Sequence, residues 1–103
     1  MFKRKRGINL SYEEQGLVFF ICKNYKKLPN EVKAKIVMLC KYVAGEDWKP
    51  LFLLLTTKGR DIEQLASEYY ISDKRLTKYR KAFYESFEKF MQGTEVKVKM
   101  SGN

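Results

Sequence analysis

From Ser11 to Gln92 the apolar residues of this 103-residue chain recur at helical spacing, and only outside that stretch does the period fall to two. The pattern predicts a set of packed helices with, at most, a small sheet made by the two ends. Ser11 and Glu14 form an S-x-x-E capping signature ahead of the apolar run Leu17–Cys22. This first helix is expected to end near Lys27, because Pro29 disfavours helical geometry at Leu28. A second helix follows from Pro29 or Asn30, with Val32, Ile36, Leu39, Cys40 and Val43 on its apolar face and Gly45 as its stop. A third is short, with Asp47 as its cap, Pro50 in its first turn and Gly59 at its end. Leu51–Leu55 is entirely apolar and so belongs in the core; a buried strand is the competing reading.

The ends read differently. In residues 2–9, Phe2 and Ile8 share a face that Arg4 and Arg6 interrupt, and Gly7 marks a bulge or a bend. In residues 94–100, Val96, Val98 and Met100 point one way and Glu95, Lys97 and Lys99 the other. A single strand leaves its backbone groups unpaired, so the two ends are expected to pair as an antiparallel ribbon.

The formal net charge is +9, and its placement says more than its size. Residues 1–9 carry Lys3, Arg4, Lys5 and Arg6 with no acid; residues 72–81 carry Lys74, Arg75, Lys78, Arg80 and Lys81 against Asp73 alone. Charge that serves solubility is spread over a surface. Charge gathered in two segments points to one polyanion-binding surface if they meet in space, and to two separately solvated faces if they do not.

Composition removes several function classes. With no histidine there is no His general base, no Ser–His or Cys–His pair, and not the commonest zinc ligand. Cys22 and Cys40 lie inside apolar helical patterns and read as reduced core thiols. Asp61, Glu63 and Glu68 read as a helix cap and a solvated face rather than as metal ligands. No catalytic residue, metal or cofactor is therefore expected. No apolar run approaches the ~20 residues of a spanning helix, and no apolar segment of the signal-peptide kind follows the basic start. The expected compartment is the cytoplasm, with no membrane partner.

Residues 61–83 carry the functional signal. Asp61 caps a helix and Gln64 stands at its third position. Then come Ile62, Leu65, the small Ala66, a turn around Tyr70 and Ile71, and Leu76, Tyr79 and Phe83 on a following helix capped by Ser72. This resembles the helix-turn-helix motif position by position. The small residue lets two helices cross closely, the turn isoleucine plugs the angle between them, and Leu76 and Tyr79 pack the second helix onto the first. One departure is visible: the ninth position, which in the motif holds glycine, is Tyr70. Either the turn takes another shape or Tyr70 is strained.

The second helix is expected from Asp73 to about Gln92. Leu76, Tyr79, Phe83, Phe87 and Phe90 make its core side, and Lys74, Arg75, Thr77, Lys78 and Lys81 its outer side, with Arg80 as a further candidate for it. That outer side has the composition of a recognition helix. With strands at the ends, the chain is similar to the winged helix-turn-helix DNA-binding proteins of Gram-positive mobile elements, among them the TcpK-type relaxosome accessory proteins of clostridial conjugative plasmids. The resemblance implies a mainly α fold with a small terminal β-ribbon: one winged helix-turn-helix domain over residues 1–103, its helix-turn-helix at 61–92. It also implies a non-catalytic homodimer that binds double-stranded DNA, as a plasmid-transfer accessory factor or a transcription regulator, alongside other plasmid-processing or transcription proteins.

The residues expected on DNA are Ser72, Lys74, Arg75, Thr77, Lys78 and Lys81 from the recognition helix. Lys3, Arg4, Lys5, Arg6, Lys97 and Lys99 are expected from the ribbon. A small protein-interaction module that binds host transcription machinery through its aromatic surface is the alternative. RNA binding and catalysis are weaker alternatives.

Overall fold

The computed structural model describes residue 5 and residues 7–93. Every regular element among them is helical: α1 (Tyr12–Lys23), α2 (Asn30–Ala44), α3 (Trp48–Thr56), α4 (Ile62–Glu68) and α5 (Asp73–Phe90), with 3₁₀ turns at Tyr25–Lys27 and Gly45–Asp47.

Local chemistry explains most of the boundaries. At the start of α1 the Ser11 hydroxyl accepts from the Glu14 N–H at 3.1 Å, and the Glu14 carboxylate accepts from the Ser11 N–H at 2.9 Å. This capping box satisfies two of the amides that a helix start leaves unpaired, and its hydrogen bonds hold the Glu14 carboxyl below the usual range. The first helix ends at Lys23, earlier than Pro29 alone implied, and a 3₁₀ turn carries the chain to an extended Leu28 (ψ 154°) before Pro29. Gly45 closes α2 at φ 56°, a conformation that an L side chain resists. The Leu51–Leu55 run is helix, not strand. Its carboxyl end is satisfied from another element: the Lys23 ammonium donates to the carbonyls of Leu54 (3.1 Å) and Thr57 (3.0 Å). Asp47 does not cap α3 with its side chain, because its carboxylate is drawn to α5, where it accepts from the Tyr79 hydroxyl at 2.8 Å.

The long helix α5 runs through the centre and packs on α1, α2, α3 and α4. Val32, Ile36, Leu39 and Cys40 of α2 meet Leu51 of α3, Leu65 of α4 and Leu76 and Phe83 of α5 in a fully buried core. Tyr84 joins that core, whereas Tyr79 and Phe90 are only partly buried, so the buried stripe of α5 is rotated slightly from the one its spacing implied. Cys22 and Cys40 are buried free thiols. Burial pushes the Cys40 thiol up to about 12 and the Cys22 thiol up further, so neither carries nucleophilic thiolate at neutral pH.

The amino-terminal segment corrects the expected fold class. Lys5 and residues 7–11 form no strand. Gly7 turns the chain at φ 79°, and the Leu10 N–H bonds the Ile8 carbonyl at 2.9 Å. The amides that a ribbon partner would have engaged are taken by helix side chains. The Lys5 N–H donates to Gln15 Oε1 at 2.8 Å and the Asn9 N–H to Glu85 Oε2 at 2.7 Å. Gln15, the one fully buried polar side chain among the described residues, also donates to the carbonyls of Leu10 and Lys5. Ile8 is buried beneath this strap. The described residues are all-helical and contain no β-ribbon wing, so the winged helix-turn-helix class does not hold. The strand expected at 94–100, and Phe2, Lys3, Arg4 and Arg6 of the first, lie outside the described residues.

Candidate nucleic-acid interface

The interface is built from the turn between α4 and α5. The Asp61 carboxylate accepts from the Gln64 N–H at 2.9 Å and starts α4 with a second capping box. Seven residues later α4 ends in a Schellman motif: the Ile71 N–H bonds the Ala66 carbonyl at 3.0 Å and the Tyr70 N–H the Ser67 carbonyl at 3.4 Å. That motif needs a left-handed residue at Tyr70, which stands at φ 58° and is the only non-glycine residue with positive φ among those described. The turn thus keeps its usual shape and Tyr70 bears the strain. Ile71 tucks against the core beside Leu65 and Ala66, both buried, and lets the two helices close on each other.

Tyr70 gains nothing visible in return for that conformation. Its side chain is 95% exposed. A left-handed L residue costs roughly 1–2 kcal/mol, and glycine would give back part of the gain through its larger unfolded-state entropy. Tyr70→Gly is therefore expected to raise stability by about 0.5–1 kcal/mol in urea denaturation. A loss of stability would show that the ring holds the turn in a way its exposure hides.

Ser72 opens α5 by accepting from the Arg75 N–H at 3.0 Å, so its hydroxyl is engaged in capping. Lys74, Thr77, Lys78 and Lys81 are all exposed on the outer side of α5. The three lysines fall at i, i+4 and i+7, one ridge of the helix, and none has an ion-pair partner among the described residues. The nearest acid further along that ridge, Glu85, is bonded to the Asn9 amide. Arg75 stands to one side. Its side chain is 58% exposed and lies 3.7 Å from the Asp47 carboxylate, which also holds Tyr79. Burial and that carboxylate raise the Tyr79 hydroxyl above its ordinary range.

Arg80 does not join the outer row. It is half-buried on the opposite flank, where it lines a cavity of about 370 Å³ together with Lys5 of the strap, Lys23 of α1, and Arg60 and Asp61 ahead of α4. Burial and the neighbouring cations Arg80 and Lys23 hold the Lys5 ammonium below its usual range. Lys5 is the one described member of the amino-terminal basic cluster, and it lies beside α5 at Arg80, off the outer row of lysines. Lys3, Arg4, Arg6, Lys97 and Lys99 lie outside the described residues. Nothing in the sequence spacing pointed to Lys23 or Arg60, which come from separate segments and meet only after the helices pack.

Among the described residues no group of three or more His, Cys, Asp or Glu side chains is placed to hold a metal ion, and no helix is long and apolar enough to cross a membrane. Comparison of the chain with protein families, curated proteins and solved structures found no match.

Proposed function

We propose that this chain binds double-stranded DNA through the outer face of α5, without catalysis, as a regulator or an accessory factor in DNA processing. One observation carries the reading. A helix pair joined by a strained, exposed tyrosine turn presents a ridge of lysines, Lys74, Lys78 and Lys81, that have no ion-pair partner among the described residues, with Thr77 beside it. Strain kept at an exposed residue with no structural return is the usual mark of a contact surface. Lysines on one ridge would neutralise successive phosphates, and the exposed Thr77 beside them would meet a base edge or a thymine methyl. Tyr70, exposed in the same turn, would meet a phosphate or sugar. Two copies on two half-sites would follow the usual logic of such modules.

The test is a mobility shift of the full chain on duplex DNA over a salt series. If each lysine of the ridge meets one phosphate, log K falls against log salt with a slope of about −2.7 or steeper. A flat response rejects DNA as the partner.

A second reading, a protein-interaction module, is favoured by exposed apolar side chains away from α5's lysines. Leu17 (59% exposed) and Phe20 share a face of α1, while Met38 and Tyr42 share a face of α2, with Tyr42 6.4 Å from the Phe90 ring. A flat salt response would favour this reading.

A further inference from the structure

Four cationic side chains, Lys5, Lys23, Arg60 and Arg80, face one cavity against a single carboxylate, Asp61. Most of them are already committed. Lys23 closes the end of α3 through the Leu54 and Thr57 carbonyls. Arg60 pairs with Glu68, and Asp61 caps α4. Lys5 lies over the Phe19 ring at 5.7 Å. Arg80 is different: among the described residues no hydrogen bond or ion pair engages its guanidinium, and its Nε is buried. A buried cationic donor left without an acceptor is costly to the folded state. The rest of the wall is Phe19, Leu54, Leu55 and Ile62, with the buried Tyr84. The volume, about 370 Å³, falls in the range of small-molecule sites.

We propose that this cavity binds a small organic carboxylate, whose charged end pairs with Arg80 and Lys5 and whose apolar body rests on Phe19, Leu54 and Ile62. A planar carboxylate matches the guanidinium fork, and the apolar wall selects an organic anion over an inorganic one. A phosphate of duplex DNA is a poor occupant, because the cavity lies among α1, α3, α4 and α5 and the duplex continues on both sides of each phosphate. Bound there, the ligand joins the amino-terminal strap at Lys5 to α5 at Arg80. The inference stands apart from the DNA reading, since its test contains no DNA.

The probe is benzoate, titrated into the full chain at constant ionic strength and followed by calorimetry and by ¹H–¹⁵N NMR, with benzamide and acetate as controls. Saturable one-to-one binding is expected, with both controls weaker by about tenfold or more, because one lacks the charge and the other the apolar body. Arg80→Gln is expected to weaken benzoate by about tenfold or more, while Lys74→Ala leaves it unchanged. Should Arg80→Gln fail to fold, the wild-type NMR shifts decide, and they are expected at Lys5, Phe19, Leu54, Ile62 and Arg80. Benzamide binding as well as benzoate, equal losses in Arg80→Gln and Lys74→Ala, or shifts confined to other residues would each overturn the proposal.

Discussion

Phe83→Ala is expected to cost about 3–5 kcal/mol, the largest loss from any single truncation in this chain. Phe83 is fully buried on α5, the helix that packs on all four others, and its ring lies 5.8 Å from that of Phe87. Removing it forfeits the transfer of an aromatic side chain and leaves a cavity that helices on several sides would have to shift to fill. A domain of this size has roughly 5–15 kcal/mol in total, so the variant stands close to unfolding. Phe83→Leu, which keeps most of the volume, is expected to lose far less, about 1.5 kcal/mol. Urea denaturation measures both. An unchanged slope with a lowered midpoint is the expected form, and a loss under about 1 kcal/mol for the alanine variant would show that α5 does not centre the core on Phe83.

The triple replacement of Lys74, Lys78 and Lys81 by alanine has the largest expected effect on binding. Each charge-assisted contact contributes on the order of 1 kcal/mol, so duplex affinity is expected to fall about a hundredfold. The salt slope is expected to become shallower by about 2.7, close to 0.9 for each lost cation. Stability is expected to hold or rise slightly, because the lysines have no acidic partner among the described residues and repel one another at i, i+4. That separates a binding defect from a folding defect. Arg75 is left out of the triple because it lies within 4 Å of Asp47, so its removal would alter the Asp47–Tyr79 contact as well. Unchanged affinity on duplex DNA would remove the α5 ridge as the reader and turn attention to the amino-terminal basic segment.

Much of the helical layout was legible beforehand, because its determinants are local. Ser11 with Glu14 and Asp61 with Gln64 are capping boxes whose partners lie three residues apart, and both form. Gly45 ends α2 by its own backbone freedom. At Tyr70 the two options read from the motif resolved to strain, because the Schellman bonds from Ile71 and Tyr70 set the turn whatever side chain sits there. The expected amino-terminal strand failed for the opposite reason. Its alternation was weak, and the amides of Lys5 and Asn9 found acceptors on Gln15 and Glu85, ten and seventy-six residues away. Asp47 was read as the cap of α3 but serves Tyr79, thirty-two residues on.

From its amino acids alone this chain specified where α1, α2, α4 and α5 begin, that Gly45 stops α2, most of the apolar stripe of α2, and that residues 74–81 carry exposed cations. Those properties depend on neighbours within a turn or two, and backbone hydrogen bonding and side-chain periodicity decide them. Only the packed structure decided that Arg80 turns inward while Lys78 and Lys81 face out, that Lys5, Lys23 and Arg60 converge on it, and that Lys5 and residues 7–11 form a strap rather than a strand. Such pairings rest on which helix faces come to lie side by side, and segments far apart in the chain acquire a common environment only once the core has closed.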